Sequence, residues 1–585
     1  MEKFLQTSSS ERINTSRWYS PETGIYHSKH PSVNLPANDS LLDVVSFIFS
    51  HKHNGRTALV DSLSGYSISY PQLFPLVQSV ASGLRHHFGI SQGDAVLLLL
   101  PNSIYFPVIF LALLYLGAIV IPMNPLLSVS EIKKQATLCK TKISLAFTIY
   151  ENVDKLRSWG TTPVIAVPEN LVNDFKEGRF SDFHKLITGK FDLVERPVIR
   201  QQDTAAILNS SGTTGASKGA VLTHGNFIAA VELFVRFEAS QYEYLSSEAV
   251  FLAVLPMFHI YGLSLFTLGL LSLGASVVVM RRFEASEMLK VIDKYGVTHF
   301  PVVPPVLMAL TKAAKGLCGN SLKSLKQVSS GAAPANSKII EDFVGAFPHV
   351  DFIQGYGMTE STAVGTRGFN TKKFSKYFSV GLLAPNMQAK VVDWVNGCFL
   401  PPGSTGELWL RGPGTVKGAE VLAAFLIPNA SRKFDNFFAY STEYINNADA
   451  TMSTIDKEGW LHTGDIAYFD EDGYLYIVDR LKEVIKYNGY QISPADLETV
   501  LICHPEILDV AVTGAMDKVL GEIPVAFVVR RDGSTLTEAA VIDYIAQRVA
   551  PYKKVRRVVF TKSIPKSAAG KVLRRELRKF LTSKL

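Results

Sequence analysis

The sequence predicts an α/β protein in two unequal parts, a large layered body that includes a β-rich subdomain and then a small α+β C-terminal domain. Short β-branched runs alternate with amphipathic stretches through most of the chain, as in Thr204 to Leu208, Ala275 to Val279 and Val297 to Phe300, the pattern of layered α/β folds. Around Gly403 to Arg411 the texture changes to Gly and Pro turns between short strands. Beyond Asp479-Arg480-Leu481-Lys482 comes a stretch with its own strands (Val510 to Val512, Pro524 to Val529) and a basic final helix, long enough for a small domain. The boundary is placed at Lys482, giving domains 1–481 and 482–585.

Composition narrows the class. The chain has 585 residues, 47% apolar and 19% charged, enough to bury several cores and unlike disordered, collagen-like or disulfide-stapled proteins. A formal charge of +7 over this length is too diffuse for a nucleic-acid binder. Cys139, Cys318, Cys398 and Cys503 lie far apart without ligand spacing, so reduced thiols are expected, with neither disulfides nor zinc. The first residues, Met1-Glu2-Lys3 through Arg12, hold no apolar core of signal-peptide length, and secretion is not expected. Ile104 to Ile121 carries no charge and meets the length of a membrane span. Pro107 and Gly117 interrupt it, however, and Val96 to Leu100 before it and Ala118 to Ile121 at its end are strand-like. It therefore reads as strand, helix, strand in a parallel sheet covered on both faces, with no transmembrane segment. Ser583-Lys584-Leu585 is an address read by a peroxisomal import receptor. No repeat is evident, and nothing demands more than a monomer or weak oligomer.

Chemistry first shows between two strand candidates. After Ala205 to Leu208 comes Asn209-Ser210-Ser211-Gly212-Thr213-Thr214-Gly215-Ala216-Ser217-Lys218-Gly219, followed by Ala220-Val221-Leu222. Glycines let backbone N–H groups approach an anion, hydroxyls add donors and Lys218 adds charge, which are the requirements of a phosphate cradle. It is not a Walker A loop, because the lysine precedes a glycine and a strand follows where a helix should open. A flexible Ser/Gly turn is the plainer alternative, but so dense a set of glycines, hydroxyls and a lysine favours phosphate.

With that loop, four further motifs occur in order: Gln354-Gly355-Tyr356-Gly357-Met358-Thr359-Glu360, Thr463-Gly464-Asp465, Asp479-Arg480-Leu481-Lys482 and Pro565-Lys566-Ser567-Ala568-Ala569-Gly570-Lys571. Together they resemble the adenylate-forming acyl-CoA synthetases from Ala58 to Arg574, and within them the plant 4-coumarate–CoA ligase-like group, with firefly luciferase a more distant relative. The resemblance implies a large domain of two layered α/β subdomains plus a β-barrel-like subdomain, with a smaller, mobile C-terminal domain. It also implies ATP, Mg²⁺ and coenzyme A, and a reaction in which a carboxylic acid becomes an acyl-adenylate and then a thioester.

The resemblance assigns roles. Ser210, Ser211, Gly212, Thr213, Thr214, Gly215 and Lys218 would hold the phosphates and Glu360 the Mg²⁺, an ion that takes oxygen ligands. Lys571 would reach the acid carboxylate and α-phosphate, stabilising charge where it accumulates. Asp465 and Arg480 would hold the ribose, Tyr356 would cover the adenine and Thr359 would lie near the phosphate. Lys482 would be the hinge for a domain rotation that presents Lys486, Gly489 and Gln491 to coenzyme A. His259 and Tyr261 in Phe258-His259-Ile260-Tyr261, with Ser329, Gly331, Ala332, Gly355 and Val364, would line the acid pocket. No general-base chemistry is assigned to His259.

Three departures qualify this. Ser329-Ser330-Gly331-Ala332-Ala333-Pro334 and Ser361-Thr362-Ala363-Val364 differ from the Met-Ser-Gly-Ala-Ala-Pro and Ala-Gly-Pro-Val usual in hydroxycinnamate ligases. Ser329 in place of Met should enlarge the pocket, so a medium- or long-chain acid, fatty or oxylipin (jasmonate-precursor), is expected ahead of a phenylpropanoid. The third departure is Ala419 to Glu443, which separates Lys417-Gly418 from Tyr444-Ile445-Asn446-Asn447-Ala448-Asp449-Ala450-Thr451 where the family runs on directly. Val421 to Ile427 with Phe434, Phe437 and Phe438 make it too apolar for an ordinary solvated loop. It reads as a retained in-frame intron or a mis-set exon boundary; a genuine surface insertion, whose closure entropy grows only logarithmically, is the alternative. A 4-coumarate/cinnamate–CoA ligase, a luciferase-like oxygenase and an inactive nucleotide-binding isoform remain as rival functions.

Overall fold

The computed structural model describes residues 18–582 apart from 140, 159, 161, 170–177, 211–217, 243–245, 315–321, 336, 370–374, 417–453, 488–489, 518–520, 550 and 568–569. Residues 211–215, 419–443, Gly489 and Ser583-Lys584-Leu585 therefore lie outside the described residues. Among those described, the strands form four sheets, two of them layered with helices in the large body.

The uncharged run folds as strand Ala95–Leu99, helix Tyr105–Tyr115 and strand Ile119–Pro122, and the two strands pair in parallel. Every residue of that helix is buried. Alternate residues of the first strand feed different cores: Val96 and Leu98 join the main cluster, while Ala95, Leu97 and Leu99 join a second one behind the sheet. A strand covered on both faces has no place for a polar residue, which explains the continuous apolar run. Among the described residues no helix is long and apolar enough to cross a membrane. Strands Thr204–Ser210 and Lys218–Thr223 complete this sheet as an antiparallel edge pair.

The second layered sheet has nine strands, with Thr57–Asp61, Ser276–Val279, Val250–Ala253, His299–Val302, Gln327–Ser330 and Asp351–Tyr356 running parallel in that spatial order. Thr366–Arg367 and Leu382–Leu383 extend it antiparallel beyond Asp351–Tyr356. The Gly/Pro-rich region forms a third, antiparallel sheet: Tyr19–Ser20, Ile25–His27, Gln388–Val392, Gly406–Arg411, Leu461–Phe469 and Leu475–Arg480. Tyr26 ties the start of the chain into it, stacked on Phe469 at 4.4 Å between ring centroids, with its hydroxyl donating to the Leu400 carbonyl at 2.8 Å.

The C-terminal part has cores of its own. Leu497 and Leu501 of helix Pro494–Leu501 and Val541 and Ile545 of helix Glu538–Ala546 pack on one face of its five-stranded sheet. Leu577 and Leu581 of helix Arg574–Thr582 pack on Ala511, Val525 and Phe527 on the other. The strand ending at Arg480 belongs to the large body and the strand beginning at Ile485 to the small sheet, so 481–484 is the crossing.

Candidate active site

Thr463-Gly464-Asp465 and Asp479-Arg480 lie on adjacent antiparallel strands, with Asp465 directly opposite Arg480. Arg480 Nε stands 2.5 Å from Asp465 Oδ1, and the Tyr356 hydroxyl donates to Oδ2 at 2.6 Å. Tyr356 ends strand Asp351–Tyr356 of the nine-stranded sheet, so one buried carboxylate joins two sheets. Burial, reinforced by Asp465, pushes the Tyr356 phenol well above its ordinary value and keeps it a donor. Burial lowers the affinity of Arg480 for its proton, but Asp465 outweighs this and holds the guanidinium charged. An acceptor carboxylate flanked by a fixed cation and a hydroxyl suits a vicinal diol.

Lys571, on the small domain, lies near enough to feel the charges of Arg480 and Asp465. Gly570 has φ +76°, and a Cβ there would come within 2.9 Å of Pro305 Cδ, so a glycine lets the small-domain loop lie against the start of helix Pro304–Ala314. Burial, with Arg480 adding repulsion, lowers the Lys571 pKa, while Glu483 and Asp465 oppose that. Two further residues, absent from the expected set, make buried contacts here, Asp479 across to the small domain and Arg574 within it. Asp479 accepts from Ser493 Oγ at 2.6 Å and from the Ala495 amide at 3.0 Å. Arg574 pairs with Glu483 just past Lys482, and its Nη2 meets both oxygens of Glu498 at 2.6 and 2.8 Å. Lys482 itself is exposed.

Ser210 ends its strand and Lys218 opens the next, opposite it in register. The two strands run antiparallel, and a strand follows the motif where a Walker A loop would open a helix. Thr359 and Glu360 lie buried on the turn Thr359–Ser361, and the Glu360 carbonyl accepts from Val416 N at 2.8 Å. Lys486 and Gln491 are cross-strand neighbours on the small domain's hairpin.

A narrow cavity of about 30 Å³ lies beside Tyr356. It brings together His259, Tyr261, Gly331, Ala332 and Gly355, as expected, and adds Phe234, Thr366 and Arg367. Ser329 and Val364 are buried but are not among its lining residues. Burial pushes the His259 imidazole down to about 4, so it is neutral at neutral pH, with Nδ1 accepting from the Tyr261 amide at 3.4 Å. Ala332, Thr362 and Ala363 hold φ of +65°, +53° and +64°, strain concentrated around this cavity. π-helical turns Val231–Arg236 and Leu263–Gly269 shape the helices beside it. Arg367 belongs to no motif; its partner Glu238 is distant in sequence, and no local pattern announced the pair.

A large body and a separately cored small domain thus share one polar site beside a narrow cavity. The chain belongs to the AMP-binding enzyme family, whose model matches residues 48–418, with the AMP-binding enzyme C-terminal domain on residues 496–571. It is 60% identical to 4-coumarate–CoA ligase-like 6 of Arabidopsis thaliana, over 97% of this chain and 95% of that one. It is 40% identical to Peroxisomal OPC-8:0-CoA ligase 1 of the same plant, over 98% and 99%. ATP-bound MatB from Rhodopseudomonas palustris superposes with a TM-score of 0.79 at 24% identity, covering 93% of this chain and 99% of that one. o-Succinylbenzoate CoA synthetase from Bacillus subtilis, in complex with its acyl-adenylate intermediate, gives 0.72 at 24% identity, covering 92% and 98%. These structural likenesses establish the fold.

Proposed function

We propose that this protein is a peroxisomal, ATP-dependent carboxylic acid–CoA ligase for an acid of the fatty, oxylipin or phenylpropanoid kind. The observation that carries the reading is Lys571, delivered by the small domain into electrostatic reach of Asp465 and Arg480. In the first step a carboxylate oxygen of the acid bonds to the α-phosphorus of ATP, the bond to the β-phosphate breaks and pyrophosphate leaves. Lys571 faces the negative charge that builds on the α-phosphate, Asp465 and Arg480 hold the ribose diol, and Lys218 with the Ser/Thr/Gly motif at 211–217 holds the outgoing phosphates. Glu360, buried next to Thr359 in sequence, has the hard carboxylate oxygens that suit Mg²⁺, which would supply charge neutralisation on the phosphates.

In the second step the coenzyme A thiolate bonds to the acyl carbon and AMP leaves. Lys571 then stands in the way, and rotation about Lys482 would exchange it for the hairpin of Lys486, Gly489 and Gln491. Asp479–Ser493 and Arg574–Glu483 are the contacts such a rotation has to break or carry along. His259, held neutral by its burial, and Tyr261 line the acid's path. The peroxisomal relative at 40% identity and the tripeptide Ser583-Lys584-Leu585 support the location.

The test is to follow pyrophosphate release and acyl-CoA formation separately, with Mg-ATP and a panel of carboxylic acids, beside a variant lacking Ala419 to Glu443. Acid-dependent formation of both products establishes the ligase. Silence from the full chain beside an active deletion variant identifies an inactive isoform of a working enzyme. Loss of peroxisomal import on removing the last three residues checks the address.

A further inference from the structure

The acid cavity carries a buried charged pair that adenylation itself does not require. Arg367 lies directly opposite Gly355 across the strand pair, and a Cβ at 355 would stand only 3.0 Å from Arg367 Nη1, so the glycine opens the cavity to the guanidinium. Glu238, from the helix that follows the π-helical turn Val231–Arg236, faces the other side of it, 2.5 Å from Nε and 2.9 Å from Nη2. The two side chains are 8% and 13% exposed. Among the described residues Nη1 has only a long contact, 3.5 Å to the Tyr261 hydroxyl, and the Phe234 ring lies 5.3 Å from the guanidinium carbon.

Successive residues of a strand face opposite ways. Tyr356 turns to Asp465 and the nucleotide, whereas Gly355 turns to Arg367. The reacting carboxylate belongs on the nucleotide side, so Arg367 meets a remote part of the acid. An arginine in such a cavity ordinarily suits a second carboxylate, but here Glu238 already cancels its charge and would repel another anion. What the pair leaves for a ligand is an N–H on Nη1 and the Tyr261 hydroxyl.

We infer that Arg367 and Tyr261 are specificity-determining residues for an acid whose far end carries a neutral hydrogen-bonding oxygen (hydroxyl, keto or ether), Glu238 rejecting a second carboxylate. This rests on the acid–CoA ligase reading and narrows its substrate class. An unadorned alkyl or aryl acid leaves the buried donor without a partner, which is the situation that produces strong discrimination.

The experiment uses the full chain with Mg-ATP and coenzyme A and two matched series. One comprises cinnamate and its 4-hydroxy, 4-methoxy and 4-carboxy derivatives; the other comprises octanoate, 7-oxooctanoate and octanedioate. The neutral-oxygen acid should exceed its bare parent in kcat/KM by about tenfold or more in at least one series, with the dicarboxylate poorest. The paired substitution Glu238→Leu with Arg367→Met, which leaves no lone buried charge, should abolish that ratio; Tyr261→Phe should reduce it, and Glu238→Gln should improve the dicarboxylate relative to its parent. A bare parent equal or superior in both series, or a ratio that survives the paired substitution, overturns the inference and leaves the ligase standing. No pyrophosphate release with any acid overturns both.

Discussion

Two buried ion pairs, each capped by a tyrosine, organise this protein, and they differ in what surrounds them. Asp465–Arg480 with Tyr356 sits where a second domain delivers Lys571. Glu238–Arg367 with Tyr261 sits in a cavity walled by the large body alone. The first is built from adjacent strands of one hairpin plus a residue of a glycine-rich motif, the second from a helix and an inner strand of the nine-stranded sheet with no motif between them. On the proposed reading, chemistry common to every acid rests on the pair that two domains share, and discrimination between acids on the pair that only one domain touches.

The sharpest way to break this comparison is at Lys571. Lys571→Ala should lower acid-dependent pyrophosphate release by about 10²–10³-fold, as loss of a charge-stabilising group does, while thioester formation from supplied acyl-adenylate persists. Equal loss in both half-reactions would assign Lys571 a structural role. Next in size is the acid pair: Glu238→Ala strands the Arg367 charge and should destabilise the fold by about 3–5 kcal/mol in chemical denaturation, far more than Glu238→Leu with Arg367→Met. Similar losses from both would mean that the pair acts through packing.

Acid pH probes the frame that holds both regions. His224 and His299 are buried, and burial pushes them down to about 4 and about 3. Between these values and the unfolded value of about 6.5 the unfolded chain binds more protons, so stability is unaffected above that range and falls as pH drops through it, by up to about 3 kcal/mol for His224. Denaturant midpoints between pH 7 and 4 check this, and a midpoint insensitive to pH would contradict it. The smallest effect is expected at Gly570, where φ is +76°. Gly570→Ala, strained by about 1 kcal/mol, should slow adenylation several-fold and leave thioester formation nearly untouched.

Much of the nucleotide side was legible because its residues lie in short, ordered motifs, and local structure carries them: Thr463-Gly464-Asp465 and Arg480 face each other through simple strand register. The strand, helix, strand reading of the long apolar run held for the same local reason, continuous burial on both faces. The acid side was legible only in part. His259, Tyr261, Gly331, Ala332 and Gly355 do line the cavity, whereas Ser329 and Val364 are buried but not among its lining residues, and Arg367 and Phe234, which do line it, were not anticipated.

The sequence by itself determined the layered α/β body, the separate small domain and the set of motif residues proposed to meet the nucleotide, since hydrophobic period and motif spacing are local properties of the chain. Only the tertiary structure decided that Asp479 joins the large body to the small domain, that Arg574 braces Glu483 and Glu498, and that Glu238 pairs with Arg367 beside the cavity. The Arg574 and Arg367 pairings join residues far apart in sequence, and a buried charge finds its partner through packing, which no local pattern encodes.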